Sequence, residues 1–380
     1  MKIVMVGPVY PYKTGLSYYV GLLYKQLKQE NDVVLLSYSM QYPKILYKKP
    51  QKDYKDDVVK IEEAEFILNS ANPFSWLSVA KRIKKEQADL VIFQWLHPYF
   101  APCYWSLSKL LRKTKILYIC HNAIPHERFV CDRLLTKLTL KNANYIVAHS
   151  NSDAKILKEM LPVTPIKVNP HPTYNFFKIK NMTKDEGRQM LGLKTEDQVL
   201  LFFGLIREYK GLKHLIKALP YITNQLTNVK LVIAGDFSQD KDQYLKLIKE
   251  LKVEKFVDIY AGHIPIPEVE KFFAACDLVV LPYESATQSG VVQSAYGFEK
   301  PVLATRVGGL PDVVEHMKTG YLVESKNPQA IAEAVIDYFE NQREEQFSEF
   351  IKESAYKFSW QRMEDCIKSF LSTDKENDEK

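Results

Sequence analysis

The chain has 380 residues, of which 46% are apolar and 26% charged. This length predicts two domains, and the composition is that of a folded protein. No run of about 18 uninterrupted apolar residues occurs, which excludes a conventional membrane-spanning helix. The five cysteines form no C-x-x-C pair, so neither a zinc site nor a disulfide framework is indicated. The first residues, MKIVMVG, run directly into a strand pattern without a signal peptide, and we expect a cytoplasmic protein.

The formal net charge of +6 is distributed unevenly. Residues 1–170 contain 25 Lys and Arg against 14 Asp and Glu, whereas residues 171–380 contain 27 against 32. The positive first half is either ordinary surface variation or a surface for an anionic partner, which would be a lipid membrane or a nucleic acid.

Strand and helix patterns alternate through the first half. The predicted strands are Lys2–Val6, Val33–Ser37, Leu90–Gln94, Lys115–Cys120, Tyr145–Ala148 and Ile166–Val168. The predicted helices are Leu16–Gln29, Phe74–Glu86, Tyr99–Arg112, Cys131–Lys141 and Asp153–Met160. This alternation predicts a doubly wound parallel sheet. The proline-containing polar run of residues 169–196 interrupts it, and we place the end of the first domain at residue 170.

The same alternation then restarts, which predicts a second doubly wound sheet in residues 171–357. The predicted strands are Val199–Phe203, Lys230–Ala234, Val257–Tyr260, Leu278–Leu281, Val302–Ala304 and Tyr321–Val323. The predicted helices are Leu212–Asn224, Lys241–Leu251, Glu268–Cys276, Val291–Phe298, Pro328–Glu340, Glu344–Lys357 and Trp360–Leu371. The polar tail 372–380 is expected to be disordered. Open parallel sheets bind ligands beyond the carboxyl ends of their strands, so we expect a cleft between two such edges.

Two cations in the segment FFGLIREYKGL are the strongest sign of a ligand. A strand ends at Gly204, Arg207 and Lys210 follow, and Gly211 precedes an amphipathic helix. Cations at a helix start oppose the helix dipole, and this cost is offset when an anion is bound between them. We expect Arg207 and Lys210 to hold a doubly charged anion such as a diphosphate.

A second anion-binding element is predicted in the block LPYESATQSGVVQ. A polar loop, residues 284–289, leads into a helix that begins at Gly290. The backbone amides of Ser289, Gly290 and Val291 are suited to hold phosphate oxygens; the alternative is a tight turn without a ligand.

The loops of the first half supply further candidates. Gly15 opens the first helix, either as a plain turn or as a point where the backbone approaches a phosphate; the loop lacks the G-x-G-x-x-G fingerprint of dinucleotide binding. His97 and His121 each follow a strand, and a lone histidine in such a place is often structural. His121 is the better candidate because Asn122, His126 and Glu127 lie beside it.

The segment Tyr99–Lys115 combines aromatic residues with cations at its end, and Lys81–Lys85 adds a further basic run. It is either a packed helix with a solvated end or a helix that lies on an anionic membrane surface. No zinc finger, basic zipper or ribonucleoprotein signature supports nucleic acid as the partner.

The chain resembles the retaining nucleotide-sugar glycosyltransferases of family GT4, which have the GT-B fold. The likeness covers nearly the whole length and rests on HNAIPHE, FFGLIREYKGL, CDLVVLPY and PVLATRVGGLPDVVEHMKTGYLV. It implies that Arg207 and Lys210 grip the donor diphosphate, with Gly15 and the helix start at Gly290 nearby, and that His121 faces the donor sugar. It also implies a metal-independent enzyme without a cofactor. The helix 358–371 resembles the segment that crosses back to the first domain in this family.

One departure concerns the pair of glutamates that holds the donor sugar and ribose in most members. Thr287 or Ala286 stands near the first position here, and Ser294 or Ala295 near the second, while Glu284 and Glu299 are displaced. The residues we assign to the donor sugar and nucleoside are Gly204, Glu284, Thr287, Gln288 and Ser294. The residues we assign to the acceptor side are His97, Asn122 and Glu127.

The resemblance thus implies transfer of a hexosyl group from a UDP- or GDP-sugar to a saccharide or lipid-linked acceptor in cell-surface polysaccharide synthesis. The basic first half favours an acceptor at the inner face of the cell membrane. The alternatives are a nucleotide-sugar epimerase of the same fold, a non-catalytic nucleotide-sugar-binding subunit and, more weakly, a nucleic-acid-binding protein.

Overall fold

The computed structural model describes residues 1–12, 15–47, 50–54, 59–125, 131–237 and 241–378, of which 373–378 are described as backbone only. The chain divides into two compact units. The first comprises Met1–Pro170 together with Ser359–Lys380, and the second comprises His171–Phe358.

The first unit contains a seven-stranded sheet in which every neighbouring pair is parallel. Its strands are β1 (Lys2–Val6), β2 (Asp32–Met40), β3 (Glu65–Asn69), β4 (Leu90–Trp95), β5 (Lys115–Cys120), β6 (Tyr145–Ala148) and β7 (Ile166–Val168). They lie in the order β3-β2-β1-β4-β5-β6-β7. The order reverses between β1 and β4, and such a switch point opens a crevice beyond the carboxyl ends of the two strands.

Helices cover both faces of this sheet. Its helices are α1 (Gly15–Leu27), α2 (Pro73–Glu86), α3 (Ala101–Leu110), α4 (Asp132–Leu140) and α5 (Asn151–Met160), and the C-terminal helix α13 (Trp360–Asp378) joins them. The apolar sides of α2, α3, α4 and α5 pack on one face of the sheet, while α1 and α13 pack on the other. Because side chains alternate along a strand, the strands β1, β2, β4, β5 and β6 contribute to both cores.

The second unit contains a six-stranded parallel sheet. Its strands are β8 (Gln198–Phe203), β9 (Val229–Gly235), β10 (Val257–Ala261), β11 (Leu278–Leu281), β12 (Val302–Thr305) and β13 (Gly320–Val323). Its helices are α6 (Lys184–Leu191), α7 (Leu212–Thr223), α8 (Lys241–Glu250), α9 (Ile266–Ala275), α10 (Gly290–Gly297), α11 (Pro328–Glu340) and α12 (Glu344–Glu353). The strand order β10-β9-β8-β11-β12-β13 places a second switch point between β8 and β11. The predicted class, two doubly wound parallel α/β domains, is confirmed.

Three elements differ from the prediction. The edge strand β3 was not predicted, and neither was α6, which begins with a capping box between Thr183 and Glu186. The last helix continues to Asp378 rather than ending at Leu371, because neither glycine nor proline follows Leu371 to stop it. The expected disordered tail is therefore helical through Asp378, and residues 379 and 380 lie outside the described residues.

Among the described residues, no helix combines the length and hydropathy needed to cross a bilayer.

Candidate functional site

In the second unit, the residues singled out from the sequence gather beside the switch point between β8 and β11. Gly204 follows β8, and the loop 282–289 follows β11 and leads into α10. Because β8 and β11 are hydrogen-bonded neighbours, their carboxyl ends open side by side. The site therefore forms where the topology of a parallel sheet provides a crevice.

The ammonium group of Lys210 lies at the centre of this edge. A Cβ atom added at Gly204 would stand 3.6 Å from Lys210 Nζ and 3.6 Å from Val291 Cγ2, so the cation and the first turn of α10 border the same glycine. Lys210 Nζ also lies 5.4 Å from the centre of the Tyr283 ring. Within the part of the chain that the structure describes, this ammonium pairs with no carboxylate. It is thus a positive charge that no described carboxylate neutralises.

Gly204 and Gly235 allow the strand ends to come this close. Gly204 has φ +102° and Gly235 has φ +154°, and a Cβ at Gly235 would overlap the carbonyl oxygen of Gly204. Only glycine adopts such angles without strain.

The start of α10 adds backbone donors. Ser289 occupies the position before the helix, but its side chain makes no capping hydrogen bond; its hydroxyl lies 3.4 Å from that of Tyr283. The first amides of α10 are directed towards the end at which the helix dipole favours an anion. Ser294 is buried one turn later, and its hydroxyl donates to the carbonyl oxygen of Gly290 at 3.1 Å.

Arg207 is exposed and precedes the short 3-10 turn Glu208–Lys210. The local residue pattern related Arg207 and Lys210 to the start of the following helix, α7, whereas the family resemblance implied that the helix start at Gly290 lies near the same diphosphate. The structure brings the Lys210 side chain beside α10, a helix that begins 80 residues later. This relation depends on β8 and β11 being neighbours in the sheet and has no signature in the local sequence.

Glu284 has partners of its own. Its carboxylate lies 2.9 Å from Nε2 of His214 and 3.0 Å from Nζ of both Lys213 and Lys326. Burial raises the pKa of this carboxyl, but the hydrogen bonds from His214, Lys213 and Lys326 outweigh it and lower the pKa to about 2. Glu284 is therefore ionised at neutral pH and anchors the loop after β11 to α7.

The remainder of that loop is held from the other side. Gly308 has φ +53°, and a Cβ there would overlap the carbonyl oxygen of Ala286. The turn that contains Gly308 therefore packs directly against the loop with Thr287 and Gln288, which are both half-buried.

In the first unit, a comparable edge lies at the switch point between β1 and β4. Gly7 follows β1, and a Cβ there would stand 2.7 Å from Cγ of Gln94, so the glutamine side chain lies over the glycine. Oε1 of Gln94 is 2.8 Å from Nε2 of His121, which lies beyond the end of β5. The side chain of Gln94 is 1% exposed, and its Nε2 has no hydrogen-bond partner among the described residues.

His121 is enclosed by rings. The ring of Tyr19 on α1 packs edge-on against the His121 ring, with 4.7 Å between the ring centres. The ring of His149, beyond the end of β6, has its centre 5.2 Å from that of His121. His149 is buried, which lowers its pKa to about 4 and keeps it neutral; Nδ1 lies 2.8 Å from the carbonyl oxygen of Asn169. Sequence reasoning found His121 but missed Gln94, Tyr19 and His149. Two of the missed residues had a signal in the sequence, which is a polar residue at the end of an apolar strand: Gln94 in FQWLH and His149 in VAHS.

The other candidates of the first unit lie apart from this pair. Gly15 is the first residue of α1, and an added Cβ there would meet no atom of the described residues within 4 Å. His97 caps the 3-10 turn Pro98–Phe100, with Nδ1 accepting from the Tyr99 amide at 3.1 Å. Asn122 is half-buried beside His121, whereas Glu127 lies outside the described residues.

Among the described residues, no group of three His, Cys, Asp or Glu side chains is arranged to hold a metal ion. The groups that the second unit offers to an anion are instead an ammonium, a guanidinium and a helix start.

The fold and these edges define a protein with two doubly wound α/β units, one of which places the Lys210 ammonium beside a helix start at its switch point. A model of the glycosyl transferases group 1 matches residues 183–358, and a model of glycosyltransferase family 4 matches residues 14–173. Together they span most of the chain, which belongs to the group 1 glycosyltransferases of the family 4 type.

Individual relatives agree with this assignment. An uncharacterized glycosyltransferase of Methanocaldococcus jannaschii is 28% identical over 95% of this chain and 95% of its own length. A lipopolysaccharide 1,2-N-acetylglucosaminetransferase of Salmonella typhimurium is 28% identical over 70% of this chain and 75% of its own length. Two further relatives are 34% and 30% identical, but the chain spans only 36% and 48% of their length.

Solved structures show the same fold. Anabaena Alr3699/HepE in complex with UDP superposes with a TM-score of 0.74 over 98% of this chain and 100% of that chain, at 18% identity.

Proposed function

We propose that this protein is a retaining hexosyltransferase that uses a nucleotide-diphosphate sugar, with UDP or GDP as the nucleotide. The observation that carries the proposal is the ammonium of Lys210, which has no carboxylate partner among the described residues and lies beside the first turn of α10. An unneutralised cation next to a helix start is suited to a diphosphate. UDP is the ligand of the Anabaena structure, which supports a uridine donor without deciding between the two bases.

In the proposed reaction, the bond between the anomeric carbon and the diphosphate oxygen breaks, and a bond from the anomeric carbon to the acceptor hydroxyl oxygen forms on the same face. The acceptor proton passes to the departing phosphate. Negative charge develops on the diphosphate, where Arg207, Lys210 and the amides of Ser289, Gly290 and Val291 stabilise it. Preorganised groups of this kind each contribute about 3–4 kcal/mol to lowering the barrier. No metal or cofactor takes part.

The remaining roles follow the resemblance. Gly15 approaches the diphosphate, and His121 faces the donor sugar. Gly204, Glu284, Thr287, Gln288 and Ser294 surround the sugar and nucleoside. His97, Asn122 and Glu127 belong to the acceptor side.

We further propose that the acceptor is a saccharide or lipid-linked saccharide of cell-surface polysaccharide synthesis, reached at the inner face of the membrane. The Salmonella relative is named for a lipopolysaccharide reaction, and the positive first half of the chain suits an anionic membrane.

Nucleotide binding is the first test. Thermal unfolding is followed with UDP, GDP, ADP and CMP, because a ligand that binds only the folded state raises its stability, by about 2.7 kcal/mol at one hundred times the dissociation constant. One diphosphate should stabilise the protein, and Lys210→Met should abolish that gain. Lys217→Met is the matched control, since Lys217 is an exposed lysine on α7. Equal responses of the two variants would refute the site.

Turnover is the second test. Arg207→Ala should retain the wild-type melting temperature in the absence of ligand and lose roughly a hundredfold or more in kcat. Near-normal turnover in that variant would remove Arg207 from the mechanism.

A non-catalytic nucleotide-sugar-binding subunit is the second candidate, because Glu284 already pairs with Lys213 and Lys326 and lies within hydrogen-bond distance of His214. Such a subunit would bind the nucleotide without consuming donor in the presence of any acceptor. An epimerase would convert the donor without an acceptor.

A further inference from the structure

Three neighbouring helices of the first unit form an exposed face that is both apolar and positively charged. We call the solvent-exposed side of α2, α3 and α4 the three-helix face. α2 packs beside α3, and α3 packs beside α4. Their opposite sides supply Ile83, Leu107 and Leu140 to the core of the sheet, so the exposed sides are directed outwards.

Large apolar side chains occupy this face instead of the polar residues expected on a solvated helix. They are Phe74 and Leu77 of α2, Trp105 of α3, and Leu134 and Leu138 of α4. Their exposed fractions range from 36% for Leu138 to 80% for Phe74. Single exposed apolar residues are ordinary, but a group on adjacent helices marks an interaction surface.

Cations on the same three helices, or directly after them, accompany these residues. They are Lys81, Lys84, Lys85, Lys109, Arg112, Lys137 and Lys141. In the described part of the chain, none of the seven pairs with a carboxylate. Their charge therefore remains available to an anionic partner.

Acidic residues do not oppose them. α2, α3 and α4 contain only two carboxylates. Glu86 lies 2.6 Å from the ammonium of Lys2, and Asp132 is buried.

The order of these residues follows from the topology. Each of the three helices connects one parallel strand to the next, so all three run in the same direction. On α2 the apolar pair Phe74 and Leu77 precedes the lysines, and on α3 Trp105 precedes Lys109 and Arg112. The apolar ends of α2 and α3 thus lie at the carboxyl edge of the sheet, the edge that holds Gln94 and His121.

From these observations we infer that the three-helix face docks on an anionic lipid bilayer. The apolar residues Phe74, Leu77, Trp105, Leu134 and Leu138 enter the headgroup region, and the cations contact acidic headgroups. Tryptophan and leucine beside lysine and arginine form the usual composition of a helix surface in the bilayer interface. The cations could bind the phosphates of a nucleic acid, but exposed leucines would not contribute to that binding. The inference is independent of the donor chemistry, because docking requires no nucleotide.

Vesicle co-sedimentation of the full chain, without nucleotide, tests it. Wild-type protein should sediment with vesicles that contain phosphatidylglycerol in phosphatidylcholine and remain in solution with phosphatidylcholine alone. Lys109→Glu combined with Arg112→Glu should lower the partition coefficient by at least about tenfold, and added salt should weaken wild-type binding. Trp105→Ser should weaken binding roughly tenfold at unchanged charge.

Matched variants of the second unit control for net charge and hydropathy. Lys217→Glu with Lys249→Glu makes the same change in net charge, and Tyr221→Ser removes an exposed aromatic ring from α7. Both should sediment like wild type, and a thermal melt verifies that every variant is folded.

Three results would overturn the inference. The first is wild-type protein that ignores phosphatidylglycerol, and the second is a control that loses binding as much as its counterpart. The third is binding to duplex RNA at physiological salt while vesicles bind no protein. Wild-type protein that sediments with the vesicles but turns over no donor would, by contrast, count against the proposed enzyme activity alone.

Discussion

Replacing Gln94 by leucine should separate activity from stability. The glutamine accepts a hydrogen bond from Nε2–H of His121 at 2.8 Å, while its own Nε2 is buried without a partner among the described residues. Leucine fills a similar volume and offers neither group. Loss of the hydrogen bond costs about 0.5–1.5 kcal/mol, whereas removal of an unpaired buried donor returns about 1–3 kcal/mol.

These terms nearly cancel, but the freed Nε2 of His121 adds a cost of its own. We therefore expect the free energy of unfolding to change by less than about 2 kcal/mol. His121 would keep its ring contacts with Tyr19 and His149 and lose the bond that fixes its orientation and tautomer. A misplacement of about 1 Å in a catalytic site lowers the rate roughly a hundredfold, so kcat should fall by ten- to a hundredfold.

The assay is donor turnover across a range of pH, accompanied by urea unfolding of the same variant. Ser37→Ala is the matched control. Ser37 lies on β2, is also buried, and its hydroxyl has no partner among the described residues. The Ser37→Ala variant should keep wild-type turnover. The reasoning is refuted if Gln94→Leu turns over donor with the wild-type rate and pH profile, or if it unfolds with a loss above about 4 kcal/mol, which would make Gln94 a structural residue.

Three further predictions concern the other edges. Gly15→Ala should melt like wild type, because an added Cβ meets no described atom within 4 Å, yet raise the KM for the donor by about tenfold; Gly21→Ala on the same helix should leave KM unchanged. Glu284→Gln should lower the stability at pH 7 by about 1–2 kcal/mol after allowance for solvent screening. Because the folded-state pKa of Glu284 is lowered to about 2, its contribution is present above about pH 4.5 and vanishes towards pH 2, where urea titrations of the two proteins should converge. Gly308→Ala should lower stability by about 2 kcal/mol or more and weaken UDP binding, because its Cβ overlaps the carbonyl of Ala286; wild-type calorimetric titration with UDP would contradict this.

Much of the fold could be predicted because its signals are local. Short apolar runs separated by amphipathic helices predicted two doubly wound parallel sheets, and the motifs predicted the family; both predictions are confirmed. β3 was missed because EFILN is a short edge strand of mixed burial without clear alternation. α6 was missed because the prolines before it suggested a linker, although the capping box of Thr183 and Glu186 was a readable start signal.

The sequence by itself determined which residue types follow the strands: the glycines, Lys210 and His121. Only the tertiary structure decided which of them meet, because the neighbours of a strand in a parallel sheet are set by crossover connections and not by distance along the chain. The pairing of β8 with β11 brings Lys210 to the start of α10, and the adjacency of β4 and β5 brings Gln94 to His121. The ion pairs of Glu284 likewise depend on three elements that are distant in sequence. A sequence motif can therefore identify a cation, but whether a carboxylate pairs with that cation is decided by the folded chain.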